Sequence, residues 1–309
     1  MKGWRVAVAQ PDRLGESPFW HPAERLLYWV DIPAMQLRRC DTAGGAGGAV
    51  ERWQMPSEPG CIAPAAGGGL AIALRDGIYR AHAWGGPLAL IAKGPHDPRT
   101  TRFNDGKADP LGRLWAGTLY EPRDAQRAAL YCIDCRPGHG RAILEEKASG
   151  AITANGVAWS PDRKTMYWTD TPSHAIQAWD WDADSNTMTR HRIFKQFPGK
   201  PAGWRPGDAG YGGRPDGASI DAQGNYWCAM YEGGRVLQLS PQGDVLRDIA
   251  VPAMCPTMPC FGGEDLKTLF VTTARDERPA KELELFPDSG CVFSMQVAVA
   301  GLAVDMVLD

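Results

Sequence analysis

The sequence predicts an all-β fold, a six-bladed β-propeller with four-stranded antiparallel blades around a central channel. Three observations predict it. Gly and Pro number 36 and 25 of 309 residues, about a fifth of the chain against a usual share of about an eighth. They are scattered without a period, which excludes collagen, coiled coil and a mainly helical bundle and favours short elements joined by tight turns. One hairpin pattern recurs along the whole chain. Hydrophobic residues reach 44%, enough to bury a large core and exclude a disordered chain.

Each recurrence is a short apolar run, a polar turn and an aromatic-rich strand. The copies read SPFWHPAERLLYWVDI at 17–32, APAAGGGLAIALRDGIYRA at 63–81, ADPLGRLWAGTL at 108–119, NGVAWSPDRKTMYWTDT at 155–171, DGASIDAQGNYWCAM at 216–230 and CFGGEDLKTLFVTTA at 260–274. The turns HPAER, DPLGR, SPDRK, DAQGN and GGEDLK hold residues that reverse a chain, and the strands after them are rich in Trp, Tyr, Val, Leu and Ile. Trp29, Ile72, Trp115, Trp168, Trp227 and Phe270 mark one position in that strand, with gaps of 43, 43, 53, 59 and 43 residues. Such spacing fits propeller blades.

The two long gaps contain insertions. HAIQAWDWDADSNTMTRHRIF at 174–194 reads as the outer hairpin of a blade, and the glycine-rich 198–217 as a long surface loop near a site. AGGAGGA at 43–49 reads as a hairpin tip. WRVAVAQ at 4–10 is expected to pair with the last blade, closing the ring and removing its edges. The expectation is therefore one domain over 1–309. A β-sandwich with a second domain fits less well, because six evenly spaced hairpins do not divide in two and no linker separates halves.

Function classes narrow next. The formal net charge is −3, which argues against nucleic acid as partner. No apolar run is long enough to cross a membrane, and the N-terminus lacks a secretory pattern. Eight Cys are too sparse for a disulfide scaffold and point to a cytoplasmic setting. Cys132 and Cys135 form CIDC without a second pair and are expected as core thiols. No GxSxG, P-loop or strand-GxGxxG-helix pattern occurs, and no two His stand at HxH or HExxH spacing.

Acidic and amide residues carry more. Glu16 in LGESPFW, Asn104 in RFNDGKAD, Asn155 in TANGVAW and Asp216 in RPDGAS stand at strand starts. Innermost propeller strands line the channel, so Glu16, Asn155 and Asp216 would converge on the axis. Two carboxylates and an amide oxygen suit one divalent ion: Ca²⁺, Mg²⁺, Mn²⁺, or another such as Zn²⁺ or Fe²⁺. On the residues alone, Asn-Gly and Asp-Gly are equally turn dipeptides, and Glu16 equally a solvated acid. Asp105 and Asp109 read as turn residues.

LGESPFWHPAERLLYWVDI, RFNDGKADPLGRLWAGT, NGVAWSPDRKTMYWTDT and RPDGASIDAQGNYWCA, four motifs in order over about residues 10–275, together resemble the SMP-30/gluconolactonase/regucalcin family. The resemblance implies a six-bladed propeller with one divalent metal in the channel and sugar-lactonase activity. It implies Glu16, Asn155 and Asp216 as metal ligands, Arg102 and Asn104 as contacts to substrate hydroxyls, and Glu121 as an acidic substrate contact. The expected reaction opens an aldonolactone, with the metal polarising the lactone and Asp216 assisting water. The alternative is a non-catalytic, divalent-metal-binding regulatory protein using the same residues. A monomer or weak homo-oligomer is expected. YWVD and YWTD are shared with lipoprotein-receptor propellers, but here they do not repeat in every blade and read as strand chemistry.

Overall fold

The computed structural model describes residues 3–43, 48–138, 141–206 and 208–309. The tip of AGGAGGA, at 44–47, lies outside the described residues. The chain opens with β1 (Arg5–Val8), whose partner comes last. Blade one is β2 (Gly15–His21), β3 (Leu26–Asp31), β4 (Gln36–Cys40) and β5 (Val50–Gln54). Blade two is β6 (Pro59–Pro64), β7 (Leu70–Leu74), β8 (Gly77–Ala81) and β9 (Ala89–Lys93). Blade three is β10 (Thr101–Ala108), β11 (Leu114–Tyr120), β12 (Ala128–Asp134) and β13 (Ile143–Ala151). Blade four is β14 (Ala154–Trp159), β15 (Thr165–Asp170), β16 (Ala175–Asp182) and β17 (Thr187–Gln196). Blade five is β18 (Arg214–Ile220), β19 (Tyr226–Tyr231), β20 (Arg235–Leu239) and β21 (Val245–Ala250). Blade six is β22 (Pro256–Gly262), β23 (Thr268–Thr273), β24 (Val292–Gln296) and, outermost, β1.

The architecture is the six-bladed antiparallel propeller that the hairpin spacing predicts. All six marker residues lie in the second strand of a blade and are buried. The predicted outer hairpin at 174–194 is β16 and β17. Among the described residues a single short α-helix, α1 (Ala280–Leu285), precedes β24. Among the described residues no helix is long and apolar enough to cross a membrane.

The core is not central. It divides into six apolar wedges, one between each pair of neighbouring blades. Trp29 and Trp20 pack on Phe270 between blades six and one. Trp115, Trp159, Trp168 and Trp181 fill the wedge between blades three and four. A fully buried Trp contributes about 4–6 kcal/mol of apolar burial, provided its N–H finds a partner. Trp115 donates to Asp109 (2.8 Å) and Trp227 to Asp221 (2.9 Å). Each of those acids also caps the turn that precedes its Trp, accepting backbone N–H bonds. Asp109 is thus the turn residue its motif predicts.

With the apolar mass between blades, the axis is left open. Beneath the inner strands' first turns lies a cavity of about 290 Å³, bordered by Ser17, Lys107, Trp159, Met258 and Val304. The C-terminal segment crosses its far mouth: Leu302 N–H donates to Ile220 O, Val307 N–H to Pro64 O and Leu308 N–H to Gly112 O.

Candidate active site

The six inner strands β2, β6, β10, β14, β18 and β22 ring the axis, and each loses register with its second strand in its first half. The shifts fall between Glu16 and Phe19, Phe103 and Gly106, Asn155 and Ala158, and Pro215 and Ala218. A bulge re-aims side chains out of the pleat. Asn104, Asp105 and Asp216 lie inside these bulges and Glu16 and Asn155 border them as the last paired residues; all five are buried.

Local sequence explains each bulge. Ser17 takes a positive φ of 49° and stitches blade one to blade two: Ile62 N–H donates to its Oγ at 3.0 Å. Gly156 takes φ +63°, and a Cβ there would lie 2.4 Å from the Tyr226 hydroxyl, which donates to Gly156 O. The glycine after Asn155 therefore serves a bulge inside β14 and not a turn. Asp105 departs from expectation in the same way. It lies within β10, buried, where one carboxylate oxygen accepts Val157 N–H (3.3 Å) and the other has no partner among the described residues.

The amides form a directed chain. Arg102 donates to Asn104 Oδ1 (2.8 Å) and to Phe103 O (3.0 Å). Asn104 Nδ2 donates to Asn155 Oδ1 (2.8 Å) and Ala154 O (3.0 Å). Asn155 Nδ2 donates to Thr171 Oγ1 (2.7 Å). The chain fixes both amides, leaving Asn155 Oδ1 a second lone pair.

The acids sense one another. Burial, then Asp216 and Asp105, push the Glu16 carboxyl well above the usual range. Burial, then Asp105, push Asp216 up to about 8, against the pull of Arg214 and a hydrogen bond from Asn155. Burial raises Asp105, offset by Lys107. Lys107, itself pushed down by burial, donates to Ala218 O. So Glu16, Asn155 and Asp216, from blades one, four and five, come together with Asp105. Among the described residues no three His, Cys, Asp or Glu side chains gather tightly enough to form a metal-holding group by themselves. The predicted ligand set counts only two such residues, with an amide as its third member.

Glu121 lies just beyond β11, bound by Arg75 at 2.8 and 3.0 Å and 3.9 Å from the Arg102 guanidinium. Arg75 holds Glu58 as well (2.8 Å), so Glu121 reaches the site through an ion-pair network that its motif does not announce. Burial brings Arg102 down to about 10, with Glu121 opposing.

The described residues of 198–213 form no strand or helix and pack against one another and against His174. Lys200 lies over the rings of Trp204 (4.8 Å) and Tyr211 (5.9 Å). His174 Nδ1–H donates to Pro172 O (3.0 Å), so its Nε2 accepts the Tyr211 hydroxyl (2.8 Å). His174 directly follows the short 3-10 turn Thr171–Ser173 whose Thr171 orients Asn155. Neither His174 nor Arg214 was marked by a motif, although Arg214 directly precedes PDG.

Fold and site define a class: a six-bladed propeller with a buried cup of acids and amides at one mouth of its axis. The chain belongs to the SMP-30/Gluconolactonase/LRE-like family, whose pattern matches residues 14–275. It is 43% identical to a 6-deoxy-6-sulfogluconolactonase of Pseudomonas putida, over 97% of this chain and 96% of that protein. It is 32% identical to human regucalcin over 98% of each. Among solved structures it resembles a calcium-binding protein, regucalcin, from Agrobacterium tumefaciens, with a TM-score of 0.87 and 26% identity, over 98% of this chain and 96% of that one.

Proposed function

We propose that the protein is a metal-dependent lactonase that opens a sugar aldonolactone to the aldonic acid. One observation carries the reading: Glu16, Asp216 and Asp105 are all buried, near enough that Asp216 and Asp105 raise the proton affinity of Glu16 and Asp105 that of Asp216, beside an orphaned Asp105 oxygen. Buried carboxylates so grouped need protons or a cation. Their hard oxygen chemistry, with Asn155 Oδ1, fits a divalent ion. Glu16, Asn155 and Asp216 are the residues that would hold it. The sulfogluconolactonase relative supports sugar-lactone chemistry, and the regucalcin relatives support the cation.

Once bound, the ion supplies Lewis-acid polarisation of the lactone. The rest is done by the chain. Arg102, oriented by Asn104 and Phe103, keeps further donors for vicinal sugar oxygens. Asn104 and Glu121 contact hydroxyls. Asp216 accepts the proton of the water that attacks the carbonyl carbon. The carbonyl carbon–ring oxygen bond breaks, and the proton ends on the released hydroxyl.

Asp216→Ala tests this. Divalent-cation binding and lactone hydrolysis should both disappear with the β-rich circular dichroism retained. Full activity would overturn the assignment. Proton release on adding fresh gluconolactone, with and without chelator, separates an enzyme from a metal-binding regulator, which would not exceed the spontaneous rate.

A further inference from the structure

A second polar cluster stands beside the cup and has no part in the reaction above. It is built around Glu232, buried and at a positive φ of 63°, which three cations face. Lys200 Nζ donates to both its oxygens (3.0 and 2.9 Å). Arg278 donates to Oε1 (3.1 Å), but it is already spent on Glu282 through two bonds of 2.8 and 2.7 Å. Arg214 comes last, with an N–O approach of 3.5 Å.

Within this cluster three cations face the carboxylates of Glu232 and Glu282, and Arg214 is the one with no close carboxylate oxygen. Lys200 and Arg278 make the three hydrogen bonds to Glu232, and Arg214 keeps only the 3.5 Å approach. Its Nε is buried and has no hydrogen-bond partner among the described residues. Its guanidinium carbon lies 5.2 Å from the centre of the Tyr231 ring. A guanidinium with an open donor suits the oxygens of a tetrahedral oxyanion. A buried donor left unpaired costs stability unless a ligand meets it.

Position ties this group to the cup. Arg214 opens β18, two residues before Asp216, and its charge acts on that carboxyl. Tyr211, anchored by His174, packs edge-on against Trp204 (5.0 Å) and both rings lie under Lys200. Arg214 thus stands beside the carboxyl assigned to the reaction.

We propose that Arg214, with Lys200 holding Glu232 away from it, is an oxyanion subsite for a sulfonate or phosphate carried by a sugar lactone at the end remote from its carbonyl. This rests on the lactonase reading. The cup handles a ring common to all aldonolactones; the Arg214 corner selects the charged ones. Lys200 acts as a positioning residue: without it, Glu232 captures Arg214.

The test compares kcat/KM for gluconolactone, its 6-deoxy-6-sulfo analogue and its 6-phospho analogue, using the wild type, Arg214→Gln, Arg214→Lys and Lys200→Gln. The wild type should prefer one or both charged lactones, with a preference that falls as salt rises. In Arg214→Gln and Lys200→Gln the ratio of charged to neutral kcat/KM should drop roughly 10–100-fold, chiefly through KM. Arg214→Lys should keep part of it. A sulfo preference names sulfonate as the substituent, a phospho preference names phosphate, and equal preference supports an undiscriminating oxyanion subsite. Equal wild-type turnover of neutral and charged lactones, or a ratio unmoved by the substitutions, overturns the subsite and leaves the lactonase standing. A wild type inactive on all three removes the lactonase reading and the subsite with it.

Discussion

Asn155 shows how much one side chain depends on its partners. Its amide is oriented because Thr171 Oγ1 accepts from its Nδ2 and Asn104 donates to its Oδ1, and the proposed ligand role needs the second lone pair of that oxygen. Thr171→Val keeps the shape and removes the acceptor. The freed amide is buried, so a cost of about 1–3 kcal/mol is expected, read as a lower urea midpoint at unchanged slope. Divalent-cation affinity should fall by about tenfold or more, as when supporting hydrogen bonds to metal ligands are removed. An unchanged affinity would show that the amide chain does not set Asn155. Of this arrangement the sequence displayed the parts that sit in motifs: Glu16, Arg102, Asn104, Asn155 and Asp216. Asp105 was illegible because Asn-Asp-Gly has the composition of a turn, and only the register of β10 against β11 shows that it spans a bulge. Thr171 and His174 were illegible for another reason: their roles come from contacts across the chain, which local spacing does not encode.

At the scale of elements, two features govern the site. The first is how closely inner strands approach. A Cβ on Gly60 would stand 2.4 Å from the Phe103 carbonyl and 2.7 Å from the Asn104 nitrogen. Both are backbone atoms and cannot swing away. Gly60→Ala must push β10 from β6 and carry Arg102 and Asn104 with it. We expect a KM for lactone raised by about an order of magnitude or more, since positioning errors of an ångström are costly. A KM equal to wild type would mean the strands part without moving the site. The second feature is the 198–213 segment, held by the Tyr211 hydroxyl on His174. Burial lowers the His174 pKa, opposed by the hydrogen bond to Pro172 O; the nearby Arg214 and Lys200 charges lower it further against the pull of Glu232, so the ring is neutral in the folded chain at neutral pH. Its folded pKa lies below the unfolded one, near 6.5. Docking stability is therefore complete above that value and is lost as pH falls through and below it. Protonation at Nε2 also abolishes the acceptor for Tyr211. Amide hydrogen exchange across 198–213 should quicken in mildly acid buffer relative to β16 and β19. Tyr211→Phe should show that faster exchange already at neutral pH, with little further response to acid. A loop equally protected at both pH values would refute the anchor.

At the scale of the molecule, six apolar wedges make a ring whose axis owes nothing to core packing, which is why a polar cup and a cavity fit there. Ring count and order were legible because each wedge needs its own buried aromatic or branched residue, and these recur at near-constant spacing. The closure devices differ in legibility. β1 reads as a strand and pairs with β24. The segment 301–309 has no pattern of its own, yet it spans the mouth opposite the cup. It bridges blade five through Gly301 and Asp221, blade two through Val307 and Ala65, and blade three through Leu308 and Gly112. Val307 is fully buried, and Asp309 pairs with Arg80. Removing 301–309 should forfeit the burial of Val307, about 1.5–3 kcal/mol, together with its cross-axis hydrogen bonds. A Tm lower by roughly 5 °C is expected. Cation affinity at the cup should hold, because the inner strands' opposite ends carry Glu16, Asn155 and Asp216. Removing 3–8 instead bares the edge of β24, and concentration-dependent aggregation should follow. The two truncations thus separate closure of the ring from closure of the channel. If trimming 301–309 abolished cation binding at an unchanged Tm, the tail would belong to the site and not to the strap.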